Sequence, residues 1–215
     1  MRDSMNVRDA FVYLSVGAMT WNKGLDVLLA AFARVAEAVP EARLVLKGAD
    51  SLYRSRELVR EVLGDLPARD RENVASRLIY EGRTLSAKVM AAFLRAADCY
   101  VSPYRAEGFN MPVLEAMACG VPVICTAGGP TDEFTDPALV DRIRSRLQTS
   151  LHATDGGDAL EPDLDHLVEL MLDAARNRDA ASARGALASE YAHQRFTWDA
   201  VTDILWQAMF SPTRQ

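Results

Sequence analysis

Histidine and cysteine are scarce in this chain, with three of each among 215 residues. Cys99, Cys119 and Cys125 form no C-x-x-C, and His152, His166 and His193 show no ligand spacing with them or with one another, so no metal site is expected. The cysteines sit in apolar strand or helix contexts, which suits buried thiols in a reducing, cytoplasmic compartment. Basic residues are also outnumbered, 24 Lys and Arg against 30 Asp and Glu. The resulting charge of −6 argues against nucleic acid as a partner, because phosphate backbones need a basic face, although an acidic chain can still hold a local basic pocket. Long hydrophobic runs are missing. The longest, Val27 to Ala33, is far below the roughly 20 residues that span a bilayer, so no membrane insertion is expected. Met1 to Asp9 is polar, with no apolar stretch ahead of a small-residue cleavage site, so no signal peptide is expected. Residues 1–10 read as a linker or the remnant of a longer chain. Gly17 to Gly24 does not spell G-x-G-x-x-G, which argues against a nicotinamide or flavin cofactor.

What is present is a chain that is 49% hydrophobic, long enough for one domain that buries about 70% of its unfolded surface. Short β-branched or apolar runs alternate with helical periodicity, the pattern of βαβ units and a parallel sheet. Strands are predicted at Phe11 to Val16, Arg43 to Lys47, Leu78 to Tyr80, Cys99 to Ser102 and Val121 to Cys125. Helices are predicted from about Lys23 to Ala38, within Ser55 to Leu66, and over Ser86 to Ala96, Pro112 to Ala118, Asp163 to Asn177, Ala180 to His193 and Trp198 to Phe210. Asp136 to Glu161 has no sustained period and contains Gly156-Gly157, so it reads as irregular chain with at most one short strand. No internal repeat, low-complexity tract or second domain is apparent. The fold class is therefore α/β, a single Rossmann-like domain with a parallel sheet and helices on both faces, over residues 11–215.

The richest stretch is Tyr104 to Glu133, which sets two carboxylates, Glu107 and Glu115, around a helix start. Between them Gly108 frees the backbone, Asn110 can cap, and Pro112 suits a first turn, where a missing N–H costs nothing. The unpaired N–H groups and dipole of such an end favour a phosphate. Four segments follow strands directly, where parallel α/β sheets bind ligands: Gly17 to Gly24, Lys47 to Asp50, Glu81 to Arg83, and Pro103 to Pro112. They are expected to converge on one crevice.

The run E-G-F-x-x-P-x-x-E-A-M-A-C-G-x-P-V-I resembles the signature of retaining GT-B glycosyltransferases of group 1, family 4. Val16-Gly17 with Lys23 to Phe32, Ala127 to Pro130, and Phe196-Thr197-Trp198 extend the resemblance over nearly the whole chain. It implies the donor-binding half of a GT-B fold, a hexosyltransferase-type enzyme in carbohydrate biosynthesis whose acceptor-binding domain is not in this chain. Alone, the chain is expected to bind a nucleoside-diphosphate sugar without transferring it. GT-B enzymes usually work without a metal, so the resemblance implies none, and the nucleotide sugar is a substrate, not a cofactor.

By the same resemblance Lys23 matches the diphosphate lysine, Glu107 lies against the donor sugar, and Glu115 holds the ribose. Lys23 and Glu107 are the candidate catalytic residues. The plainer alternatives are a solvated lysine in a helix's first turn, an exposed loop carboxylate, and a glutamate stabilised by the dipole alone. Gly17 ends the first strand of the donor domain; Gly108, Phe109, Asn110 and Met111 would present backbone N–H groups, and Gly82 and Arg83 match the segment that holds the base. Phe109 is equally a packing residue, and Arg83 a solvated one. Where many relatives carry a second diphosphate-binding arginine this chain has Ala18, so either Lys47 or Arg105 substitutes or diphosphate binding is weaker, and a non-catalytic regulatory module is the alternative function. A ligand-free structural α/β domain is the third possibility. Asp163-Leu164-Asp165 spells the D-x-D metal motif of another glycosyltransferase architecture, but after Pro162 it reads as a helix cap. An apolar stripe through Trp198, Leu205, Trp206 and Met209 predicts an exposed patch near Trp206 and Phe210, of the kind a homodimer contact covers.

Overall fold

The computed structural model describes residues 1–149 and 157–210. Along the chain lie β1 (Phe11–Val16), α1 (Leu25–Ala38), β2 (Ala42–Lys47), α2 (Ser55–Asp65), α3 (Ala68–Ala75), β3 (Leu78–Glu81), α4 (Ala87–Leu94), β4 (Cys99–Ser102), α5 (Met111–Ala118) and β5 (Val123–Thr126). Then come β6 (Asp141–Ile143), β7 (Ser145–Thr149), β8 (Asp158–Pro162), α6 (Leu164–Arg176), α7 (Arg178–Arg195) and α8 (Trp198–Phe210). Six strands pair in the order β3-β2-β1-β4-β5-β6, all parallel, while β7 and β8 form a separate antiparallel hairpin. The chain builds outward from β1 in one direction, then restarts beside β1 with β4 and builds the other way. That seam is where a parallel α/β sheet opens a crevice.

Strand side chains alternate between two cores, as period-2 geometry requires. Phe11, Tyr13, Leu44, Leu46, Cys99, Val101 and Ile124 pack with α1 and α6 on one face. Val12, Leu14, Val45, Tyr100, Val123 and Cys125 pack with α4, α5 and α7 on the other. Burial on both sides explains why these strands read as nearly unbroken apolar runs. The first ten residues lie against the second core, with Val7 and Ala10 buried and Arg2 donating to the Ala96 carbonyl and Asp98, each at 3.0 Å.

The α/β class and the parallel sheet match the expectation, and five strands fall within two residues of their predicted places. The segment from Asp136 to Glu161 does not. It carries β6, which closes the sheet edge, and both arms of the β7–β8 hairpin, although residues 150–156 lie outside the described residues. The hairpin is two-sided: Leu160 is buried while Leu147 is exposed, so no clean alternation marks it. Helix α3 is a further departure; Pro67 separates it from α2, and only Val74 of its residues is buried, leaving little apolar period to read. Asp163 caps α6 by accepting from the His166 N–H at 3.0 Å, as expected, and Asp165 pairs with Arg34. His152 lies outside the described residues. No helix among the described residues is long and apolar enough to cross a membrane.

Candidate functional site

Two loops meet at the seam. After β1 the chain passes Gly17, whose N–H donates to the Lys47 carbonyl at 3.0 Å. A side chain on Gly17 would begin 3.2 Å from Lys23 Cε, so its absence lets the lysine stem lie along the strand end. Lys23 closes a 3-10 turn, Trp21–Lys23, and does not sit in α1 as predicted. Gly24, at φ 65°, breaks that turn, and α1 starts after it. The residue is glycine for two reasons: the left-handed conformation, and a hypothetical Cβ placed 1.8 Å from the Pro103 carbonyl oxygen. Asn22 fastens the same loops from the other side. Its carbonyl accepts from the N–H groups of Arg105 (2.8 Å) and Ala106 (3.3 Å), and its amide donates to the Ala106 carbonyl at 3.1 Å.

This strapping carries the Lys23 ammonium onto Glu107 Oε1. The Glu107 side chain is only 10% exposed and that of Lys23 23%, so neither plain alternative, the solvated lysine or the exposed loop carboxylate, describes them. Beyond Glu107, the N–H groups of Gly108, Phe109, Asn110 and Met111 have no protein acceptor among the described residues. Nothing lies within 4 Å of where a Gly108 side chain would stand. Asn110 does not cap α5 as predicted. It is left-handed, φ 70°, and its buried side chain donates to Ser102 Oγ at 3.0 Å, which leaves the helix end open. Phe109 is 40% exposed and stacks on the buried Phe134 with centroids 4.6 Å apart. Met111 is exposed beside it.

Glu115 stands one turn into α5 with an exposed side chain, yet the protein beneath removes water from part of its carboxyl and raises its pKa. Burial raises the pKa of the Tyr100 phenol as well, and the charges of Glu107 and Glu115 both add to that shift. Glu107, in the loop after β4, and Glu115, in α5, thus both act on the same buried phenol.

The ends of β2 and β3 join this row. Gly48 N–H donates to the Glu81 carbonyl at 2.9 Å, and Asp50 N–H to that of Gly82 at 3.0 Å. The Arg83 guanidinium folds back onto Glu81, with its closest contact 2.6 Å, and the Arg83 N–H also donates to Glu81 at 2.8 Å. Those hydrogen bonds pull the Glu81 carboxyl down to about 2. No contact joins Arg83 to Lys23, Glu107 or Glu115 among the described residues.

Of the two candidate substitutes for the arginine lacking at position 18, Arg105 is fully engaged. Its guanidinium N–H groups meet both oxygens of Asp26, both oxygens of Glu161 and the Trp21 carbonyl, at 2.7 to 3.2 Å, and its guanidinium lies over the Trp21 ring. Asp26 is pushed up by burial, but the Arg105 hydrogen bonds and charge more than offset this and hold it below its ordinary value. No local pattern marks these partners: Glu161 lies far along the chain in the segment read as irregular, and Asn22 is one polar residue in a turn. Lys47 is 7% exposed, and among the described residues its ammonium donates only to the Gly48 carbonyl.

A family profile for glycosyl transferases group 1 matches residues 10–145, well over half of the chain, and the chain belongs to that family. Among curated proteins it is similar to mannosylfructose-phosphate synthase of Agrobacterium fabrum, 33% identical over 55% of this chain and 26% of that protein. It also resembles the GDP-mannose-dependent monoacylated alpha-(1-6)-phosphatidylinositol monomannoside mannosyltransferase of Corynebacterium glutamicum, 28% identical over 89% of this chain and 45% of that one. The chain thus spans less than half the length of either. Among solved structures, Anabaena Alr3699/HepE in complex with UDP superposes with a TM-score of 0.76 at 19% identity, over 98% of this chain and 51% of that one. Sucrose-phosphate synthase of Thermosynechococcus elongatus gives 0.72 at 24%, over 98% and 48%. These likenesses bear on the fold, which is the Rossmann-like α/β domain found in GT-B glycosyltransferases.

Proposed function

We propose that the chain is the donor-binding half of a retaining GT-B hexosyltransferase and that it holds a nucleoside-diphosphate sugar at the β1–β4 seam. One observation carries this: Lys23, Glu107, four unpaired backbone N–H groups and the open end of α5 stand together at the seam. An anion placed there meets the ammonium, the N–H groups and the positive end of the helix dipole. In glycosyl transfer the anomeric C–O bond breaks, the diphosphate keeps the electron pair, and the acceptor oxygen takes the sugar as it loses its proton. Lys23 and the α5 end would stabilise the charge growing on the diphosphate. Lys23 would then be shared between phosphate and Glu107, leaving a carboxylate oxygen to orient a sugar hydroxyl. Glu115, ionised, can accept from both ribose hydroxyls. Gly82 and Arg83 would border the base, with the Gly82 carbonyl already engaged by Asp50 and the Arg83 N–H by Glu81. No metal is needed for this charge balance. The structurally similar Anabaena protein, solved in complex with UDP, supports a nucleotide in this fold.

The acceptor half would lie in a longer cytoplasmic protein, consistent with the half-length match to relatives. Helix α8 has no buried residue and exposes Trp198, Ile204, Leu205, Trp206, Met209 and Phe210, as the apolar stripe predicted. That face would pack on the other half, or on a second copy when the chain is alone; sedimentation at rising concentration reads the latter.

A thermal-shift panel of UDP, GDP and ADP and their sugars tests the proposal. Ligand at a hundred times Kd adds about 2.7 kcal/mol of stability. Calorimetric heat that Glu115→Ala does not weaken, or no binding at all, would sink it; turnover onto an acceptor by the 215-residue chain would sink the half-site part. Ala18 favours a second reading, a regulatory module that binds the nucleotide sugar and never transfers it. Transfer by a full-length protein carrying this domain decides between them.

A further inference from the structure

Lys47 is a cation that the sheet has buried without a counter-ion in contact. Its residue is 7% exposed, and among the described residues no carboxylate lies within 4.0 Å of its ammonium, which donates only to the neighbouring Gly48 carbonyl. An ammonium has three donors, so two remain. Burial lowers its pKa, and the charges of Glu81 and Asp50 only partly oppose this. Both have other partners: Glu81 is forked by Arg83, and Asp50 takes the Tyr80 hydroxyl and Arg56. A buried charge with so little compensation destabilises the chain by itself, and a well-packed apolar side chain would stabilise it more.

Its place in the fold says what would compensate it. Lys47 pairs in register with Val16 and shares a sheet face with Val45, the face that carries α5. Its carbonyl receives the Gly17 N–H, and Gly17 is the residue over which the Lys23 stem runs. Position 18 adjoins it through Ser55, fully buried, whose hydroxyl donates to the Ala18 carbonyl at 3.0 Å and accepts from the Ala49 N–H at 3.3 Å. From these contacts, and resting on the proposed donor site, we infer that Lys47 is a diphosphate-positioning residue, supplying from the end of β2 the second positive charge that Ala18 does not.

The test titrates the diphosphate that binds best among UDP, GDP and ADP, and its parent nucleoside, by calorimetry into the wild-type chain, Lys47→Met and Lys47→Met/Ala18→Arg. Methionine keeps the stem and removes the charge, so the unliganded fold should melt at the same temperature or higher. Loss of one charge-assisted contact should weaken the diphosphate about 10- to 100-fold, leave the nucleoside unchanged, and be partly reversed by the arginine at 18. Unweakened diphosphate binding by folded Lys47→Met overturns the inference, as does an equal loss for the nucleoside or a failure of the arginine to restore affinity. Should methionine not fold, Lys47→Gln is read by the same criteria. If Lys23→Met and Glu115→Ala abolish binding while Lys47→Met does not, only this inference falls; if nothing binds the wild type, the donor site falls with it.

Discussion

The Lys23 ammonium rests on the Glu107 carboxylate and so ties the loop after β1 to the loop after β4, across the line where the strand order reverses. In the unliganded chain each group screens the other's charge. A diphosphate held at the seam as proposed would draw on the same ammonium. Lys23→Met should weaken nucleoside diphosphates about 10- to 100-fold, the size of a contact to a charged group. It should leave nucleoside affinity little changed. Calorimetry with both ligands checks it.

Glu115 offers a pH signature. Its folded pKa is raised by lost hydration, so the folded chain keeps a proton that the unfolded chain has already released. Stability from this group is therefore present below the ordinary carboxylate value and is lost as pH rises through the raised one. Glu115→Gln should melt higher than wild type at pH 7.5, by under about 2 °C given the solvent on its open side, and equal it near pH 4. The same variant should bind nucleotides less well at pH 7.5. A melting difference independent of pH would contradict the raised pKa.

Arg105 joins three chain segments through Asp26, Glu161 and Trp21, and its side chain is 5% exposed. Arg105→Ala should cost about 2 to 3 kcal/mol, less than a fully buried pair because Asp26 and Glu161 keep some water. Chemical denaturation measures it. Since the pair holds Asp26 below its ordinary value, its contribution is present above that value and lost as pH falls through the depressed one. The destabilisation by Arg105→Ala should accordingly shrink in strong acid.

Gly24→Ala confronts two obstacles, a left-handed φ of 65° and a Cβ 1.8 Å from the Pro103 carbonyl. The loops must part to admit it. An expected loss of more than about 1 kcal/mol in stability should accompany weaker nucleotide binding, because the Lys23–Glu107 contact depends on the same closure. Denaturation and titration of one variant read both.

How much of this is legible in sequence varies with the kind of interaction. The central strands are readable because burial on both faces leaves runs such as FVYLSV and ARLVLK, and the helix opening at Met111-Pro112 because proline announces it. The spacing of Glu107 and Glu115 around a helix start is legible too, since α5 begins at Met111 between them. Less visible is any feature that depends on a distant partner. Asn110 looks like a cap by local rules but turns to Ser102, and Arg105 looks like a free cation until Glu161 arrives from the hairpin. Short edge strands such as β6, with two of three residues half-buried, carry too little pattern to be recognised alone.

The ring of Phe109 lies flat on Phe134, which in turn meets Phe196 edge-on at 6.2 Å. Phe134 is held in the core, so a loop carrying a bare glycine and four idle donors is nevertheless moored at its midpoint. Much of the entropy lost in ordering that loop is then lost when the chain folds, and a ligand bound as proposed would find its donors already aimed.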